Sequence, residues 1–225
     1  MEVAPGTIAV WSDLHCPWSH VAVWRLWDAR RRLGLEDRVR FDHRVFPLEL
    51  FNNEPTPYRT IVAEIPACGP LAPRAGWQVW QAPLTDWPVT TLLPMEAVQA
   101  AKEQSLAASE ELDRALRAAF FGESRCISLR HVILEVASGC DGVRVAALAD
   151  ALDSGRARRT ILDDWRTAGR DGVRGSPHLF LPDGTDAHNP GITFHWEGDH
   201  GIGFPVIDAD EPAIYEELLH RAAGA

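Results

Sequence analysis

Along the first 46 residues the apolar positions change period twice. Residues 7–12, TIAVWS, form a short β-rich run that predicts a buried strand. From Pro17 the spacing turns helical. Val21, Trp24, Leu26, Trp27 and Leu33 share a broad apolar face over residues 17–33, Pro17 suits the first turn, and Gly34 suits the end. Residues 38–46 then alternate, with Val39, Phe41, His43 and Val45 on one side, which predicts a second strand with one buried face. Strand–helix–strand in this order predicts a parallel pair joined by a crossover helix.

Residues 47–90 are rich in Pro, Gly and Trp with weak periodicity, and predict loops and short helical turns. Residues 92–120 predict a helix, with Leu112, Leu116 and Phe120 at four-residue spacing. Ser128 is placed to cap a further helix through Val136, ended by Gly139. Residues 143–152 and 157–168 predict two more. Near residue 175 the strand pattern returns: 178–185 read as a strand running into a turn at Pro182, Asp183 and Gly184, with 192–196 as its hairpin partner. Residues 211–223 predict a closing helix. The order is β-α-β, a helical block, then β-β-α, with no linker between two domains. The expected fold class is α/β, with the helical block inserted into a single domain.

Charge and composition narrow the function classes. The net charge is −10, so the basic footprint of a nucleic-acid or anionic-membrane partner is missing. No apolar run approaches the roughly 18 residues that a membrane span needs. The N-terminal segment MEVAPGTIAV lacks a basic region followed by a long apolar one, so a cytoplasmic location is expected. The four cysteines lie far apart in sequence, which argues against zinc-type pairing, and a reducing compartment predicts free thiols. Cys68, Cys126 and Cys140 are expected to be buried or idle. His178, His188, His195 and His200 do not have the spacing of helical ligand pairs, so no metal site is expected. Arg30, Arg31 and Arg32 predict a solvated helix end that complements the dipole.

Candidate chemistry concentrates in WSDLHCPWSH, residues 11–20. Cys16 falls between the end of a strand and the first turn of a helix. Free amide N–H groups and the positive end of the helix dipole favour a thiolate there, and such settings lower cysteine pKa values to roughly 3.5–7.5. His15 and His20 flank it, placed to add charge or a hydrogen bond. Ser19, three residues on, shares its helix face and is placed to donate to the sulfur, with which it cannot form a disulfide. The plainer alternative makes Cys16 a small residue filling a junction. Trp11, Trp18, Trp24 and Trp27 gather around the motif; Trp24 and Trp27 suit the core, and Trp18 is the one expected to be exposed. Further on, Pro177 in RGSPHLF opens a strand, where either isomer of an X–Pro bond is accessible.

Taken together, these segments resemble the thioredoxin-like superfamily, and within it the DsbA-like branch with a helical insertion. The matching residues are TIAVWSD, the motif Cys16, Pro17, Trp18, Ser19 at a helix start, and the late run of Ala168, Gly172, Val173, Gly175, Ser176 and Pro177. The chain looks most like the cytoplasmic, FrnE-like members described as predicted dithiol-disulfide isomerases. The resemblance implies a thioredoxin-like fold in about 5–48 and 173–225, an inserted α-helical subdomain in about 49–172, and one DsbA-like domain over 1–225. It implies that Cys16 is the nucleophile, that Pro17, Trp18, Ser176 and Pro177 line the substrate, and that Pro177 is cis. Ser19 stands where the family carries its resolving cysteine, which is the departure from the pattern. The activity implied is thiol-disulfide oxidoreductase or isomerase chemistry through one cysteine. Its substrate would be a protein or small-molecule thiol or disulfide, with no tightly bound cofactor and a low-molecular-weight thiol as co-substrate. Two other readings stay open: a thiol-dependent transferase or isomerase like the kappa-class glutathione transferases and 2-hydroxychromene-2-carboxylate isomerases, where serine usually matches Cys16, and a thioredoxin-like domain that only binds. Cys68, Cys126 or Cys140 would resolve a mixed disulfide only if one folds near Cys16, which the spacing does not indicate.

Overall fold

β1 (Thr7–Ser12) is buried at every position, which is why its middle, residues 8–11, reads as an unbroken apolar run. α1 (Pro17–Arg32) crosses from it to β2 (Arg40–Val45), which pairs with β1 in parallel, Thr7 opposite Arg40. β2 alternates buried and half-buried positions because only one of its faces meets the core. The computed structural model describes residues 1–224.

The sheet order is β2-β1-β3-β4, with β3 (His178–Phe180) antiparallel to β1 and β4 (Asp186–His188) antiparallel to β3. This corrects the expected hairpin. The turn at Pro182, Asp183 and Gly184 returns the chain at once to β4, and residues 192–196 do not pair with β3. They belong to β5 (Ile192–Glu197), which pairs with β6 (Phe204–Asp210) in a separate two-stranded sheet. β6 is mostly exposed, so its sequence carries no alternation to read. α9 (Ile214–Gly224) starts later than expected, because the Glu211 N–H is tied back to the Gly191 carbonyl at 2.7 Å. Gly191 has φ +73°, and a Cβ there would stand 2.3 Å from the Glu211 carbonyl oxygen, so this crossing requires glycine. Leu218 and Leu219 of α9 pack with Val10, Leu26 and Leu179 in the core of this half.

Between β2 and β3 lie α2 (Leu48–Asn52), α3 (Tyr58–Cys68), α4 (Leu92–Lys102), α5 (Leu106–Glu123), α6 (Arg130–Ser138), α7 (Val145–Ser154) and α8 (Arg158–Arg170). Four of them differ from expectation. α3 is a true helix of 11 residues hidden among prolines, with Pro57 as its N-cap and Pro66 near its end. The long helix over 92–120 is two, because Ser105 stops one and caps the next, its hydroxyl accepting the Ala108 N–H at 2.9 Å. Ser128 caps nothing: the N-cap of α6 is Leu129, and the Ser128 hydroxyl bonds the Thr90 carbonyl. Leu112, Leu116 and Phe120 are buried as their spacing predicts, packed with Val98, Ile133 and Leu148 in a core of the helices' own.

Buried ions join this core to the sheet. Arg30 is not solvated like Arg31 and Arg32, because the end of α1 abuts α5. Its guanidinium pairs with Glu110 at 2.6 Å and lies 4.1 Å above the Phe41 ring, while Glu110 also accepts the Phe41 N–H at 2.7 Å. Among the described residues no helix is long and apolar enough to cross a membrane.

Candidate active site

Cys16 is the N-cap of α1, with φ −76° and ψ 116°, and Pro17 is the first helical residue. Pairing of β3 beside β1 brings the loop before β3 against this helix start. In that loop the Ser176–Pro177 peptide bond is cis. The Cys16 thiol donates to the Ser176 carbonyl at 3.1 Å. The Ser176 hydroxyl accepts the Asp13 N–H at 2.8 Å and sits 2.6 Å from the Ser19 hydroxyl. Ser19 is fully buried behind the sulfur.

The insertion holds the strand end in place. Arg117 of α5, without solvent exposure, donates to the Asp13 carbonyl at 3.0 Å and the Ser12 hydroxyl at 2.9 Å, while Asp113 neutralises it at 2.7 Å. The Asp13 carboxylate accepts the His15 and Leu48 N–H groups, each at 2.9 Å, and the Thr91 hydroxyl. Burial nevertheless pushes its pKa up to about 6.

Electrostatics at Cys16 run opposite to the helix-start expectation. Burial, and after it the Glu64 charge, push the thiol up to about 11, while hydrogen bonds from Ser176 and from the Ser19 amide and hydroxyl pull back only in part. Cys16 is 5% exposed, so desolvation of a thiolate outweighs the hydrogen bonds offered to it. Nor do the histidines bring positive charge. Burial and then Arg117 hold both His15 and His20 down at about 3, so both rings are neutral near pH 7. His15 stacks on Phe120 at 4.3 Å and its Nδ1 meets the Thr56 hydroxyl at 3.1 Å; His20 stacks on Phe121 at 4.6 Å.

Trp18 is buried rather than exposed. Its ring stacks on Phe194 of β5 at 3.9 Å, nearly parallel, and its indole N–H donates to Glu64 at 2.9 Å. Glu64, from α3, is itself buried, and burial pushes its carboxyl up to about 7. The sequence does not single out Glu64, because the prolines around α3 make that segment read as loop. An acid at the inner face of a helix, four residues before Cys68, is the signal that could have found it. Trp24 and Trp27 are half-buried along α1, 5.1 Å apart.

Cys16, Pro17, Trp18 and Ser176 line one cleft of about 340 Å³, together with Glu64, Phe194 and Trp196 among others. Pro177 is buried behind this wall, as is Ser19. Cys68 is fully buried in the same apolar cluster as Cys16 and Trp18, whereas Cys140 lies in the helical core and Cys126 is half-buried. Of the late histidines, His178 and His188 face each other across β3 and β4 with rings 5.7 Å apart, and His178 meets Asp186 at 2.7 Å; His195 meets Asp208 at 2.8 Å, and His200 lies against Trp196. Among the described residues no three His, Cys, Asp or Glu side chains are grouped to hold a metal ion.

A parallel βαβ unit and an antiparallel β3–β4 pair in one sheet, a helical insertion, and a cysteine at the start of α1 facing the Ser176–Pro177 loop define a thioredoxin-like α/β protein. The chain belongs to the DSBA-like thioredoxin domain family, whose model matches residues 7–197. Members of this family are in general thiol-disulfide oxidoreductases. Among solved structures, the chain is similar to a probable DsbA oxidoreductase, SCO1869, from Streptomyces coelicolor, with 21% identity, a TM-score of 0.69, and coverage of 97% of this chain and 90% of that one. It is also similar to the cytosolic disulfide reductase DsbM from Pseudomonas aeruginosa with GSH, at 21% identity and a TM-score of 0.55, covering 79% and 86%. A 2-hydroxychromene-2-carboxylate isomerase matches at 15% identity and a TM-score of 0.59, covering 80% and 87%. At these identities the likeness is one of fold. No curated protein matches the chain.

Proposed function

We propose that this protein is a cytoplasmic thiol-disulfide oxidoreductase that works through Cys16 as its only attacking sulfur, with a thiol from outside the protein completing each cycle. The observation that carries the reading is the position of Cys16. It caps α1 at the floor of a cleft, with the Ser176 carbonyl at 3.1 Å and Ser19 in place of a second cysteine. In the first step the Cys16 thiolate attacks one sulfur of a bound disulfide; a mixed disulfide forms and the other half leaves as a thiolate. In the second, an external thiolate attacks the mixed disulfide, takes the bound half into a new disulfide, and returns Cys16 as thiolate. One disulfide is consumed and one formed in the full cycle.

The resting thiol donates to the Ser176 carbonyl and must lose its proton before it attacks. Once it has, the Ser19 amide and hydroxyl serve the sulfur. The Asp13 N–H, the Ser176 hydroxyl and the Ser19 hydroxyl then form a donor chain that ends on it. The test is to incubate the reduced protein with a small disulfide and map the adduct by peptide mass spectrometry. The adduct is expected on Cys16 and is expected to clear when a thiol is added. An adduct confined to Cys126, or equal turnover by a Cys16→Ser variant, overturns the reading.

A further inference from the structure

Three glutamates line the cleft around Cys16: Glu49, Glu54 and Glu64. No arginine or lysine among the described residues lines it, and His15 is held neutral by burial. Glu49 is occupied by the Thr90 hydroxyl and the Thr91 N–H, and Glu54 is exposed at the rim. Glu64 differs from both. It is 7% exposed, and the structure pairs only its Oε1, with the Trp18 indole, leaving Oε2 without a hydrogen bond in the wall of the cleft. A second group there also lacks a partner: His15, 2% exposed, bonds through Nδ1 but its Nε2 is unpaired. The free Glu64 carboxylate oxygen can only accept, and the buried Asn189 Oδ1 in the same cleft is a further acceptor without a partner, so the wall calls for a donor that carries positive charge. Trp18, Phe194 and Trp196 supply apolar wall for the carbon chain between that charge and the sulfur.

We propose that the cleft selects a low-molecular-weight aminothiol, or its disulfide, whose ammonium group is seated against Glu64 while its sulfur faces Cys16. The volume of about 340 Å³ is at the small end of ligand pockets and suits such a molecule. A thiol bearing carboxylates, glutathione included, meets three glutamates and Asp13 there, with no arginine or lysine among the described lining residues to pair with. The inference rests on the thiol-exchange reading for its chemistry, although the selection of charge stands on the cleft alone. It also supplies what the resting site lacks. The Glu64 charge is one of the two forces holding the Cys16 proton on, and an ammonium ion beside Glu64 cancels it, so the bound substrate helps to ionise the thiol that attacks it.

Three disulfides of similar size separate the possibilities: cystamine, a dication; bis(2-hydroxyethyl) disulfide, which is neutral; and dithiodiglycolate, a dianion. The rate of Cys16 adduct formation with each is divided by the rate at the same cysteine in the urea-unfolded protein, which removes intrinsic reactivity. Cystamine is expected to exceed the neutral disulfide by about tenfold or more after this correction, with dithiodiglycolate slowest, and Glu64→Gln is expected to shrink the cystamine advantage to less than about threefold. Equal corrected rates, or an advantage unchanged in Glu64→Gln, overturn the proposal. A second arm needs no chemistry: calorimetric binding of the same three compounds to Cys16→Ser. There the ammonium compound is expected to bind tightest, and a lack of preference overturns the proposal even if Cys16 proves reactive. If the folded protein forms no adduct with any disulfide but Cys16→Ser still prefers cystamine, the thiol-exchange reading falls and the charge selectivity stands.

Discussion

The Cys16 sulfur stands 3.1 Å from the carbonyl oxygen of Ser176, a contact that only a protonated thiol can make favourably. A carbonyl oxygen facing a thiolate would be two acceptors in contact. The resting state is therefore a thiol, and the helix start beneath it is a latent rather than a standing source of activation.

The first expectation concerns reactivity in the absence of substrate. With its pKa pushed up to about 11 by burial and Glu64, Cys16 carries far less thiolate near neutrality than a free cysteine. Iodoacetamide labelling of Cys16, followed by peptide mass spectrometry, should be slower than for a free thiol by about two orders of magnitude at pH 7.5. The rate should climb with pH up to 10 without levelling. A plateau below pH 8 would show a depressed pKa and contradict this account of the site.

Glu64 sets a pH dependence of stability whose sign is fixed by its raised pKa. The folded protein holds the Glu64 proton up to about 7, whereas the unfolded chain releases it near the ordinary glutamate value of 4.5. Folding is therefore favoured by this group at low pH, and that contribution is lost as pH rises from 4.5 through 7. Glu64→Gln keeps an acceptor for the Trp18 indole and removes the titration. In urea unfolding it should be more stable than the parent by about 3 kcal/mol at pH 8 and nearly equal to it at pH 4.5. The same gap at both pH values would show that packing, not ionisation, separates the two.

Arg117 ties the helical insertion to the active-site strand. Arg117→Leu leaves Asp113 buried without its partner and frees the Ser12 and Asp13 anchor, so a loss of about 3–5 kcal/mol is expected in urea unfolding. The Asp113→Asn, Arg117→Leu double variant should recover part of it, since no uncompensated charge then remains. A loss under about 1 kcal/mol for the single change would remove this link between the insertion and the site.

Ser19→Cys introduces a second thiol at the position that the resemblance assigns to a resolving cysteine. Ser19 lies one turn after Cys16 on α1, buried on the sulfur's side of the helix. Under mild oxidation the variant should lose the mass of one hydrogen pair and yield a peptide in which Cys16 is disulfide-linked to the introduced thiol. Its mixed disulfides should decay without added thiol, while those of the parent persist. Persistent mixed disulfides in the variant would show that the geometry at position 19 does not support resolution.

Much of the framework was legible in the sequence. The unbroken apolar run of β1, the helical face of α1 and the alternation of β2 reflect how much of each element is buried, and burial leaves its period in the residues. The second hairpin did not show, because β6 lies largely in solvent and has no buried face to write a pattern. α3 did not show, because the prolines at 57 and 66 outweigh the apolar positions at Ile61 and Ile65. With α3 went Glu64, and with the partner of β5 misassigned went the place of Phe194, so the sequence showed the Cys16, Trp18 and Ser176 side of the cleft but not the side opposite.

By itself the sequence determined the thioredoxin-like class, the helix start that carries Cys16, and the absence of a cysteine at position 19, since these follow from local period and residue identity. Only the tertiary structure decided the state of that cysteine. Ser176 and Glu64 come from segments 160 and 48 residues away along the chain, and the burial they create together with α1 turns a helix-start thiolate into a protonated thiol. Desolvation is a property of what surrounds an atom in space, and no spacing along the chain encodes it.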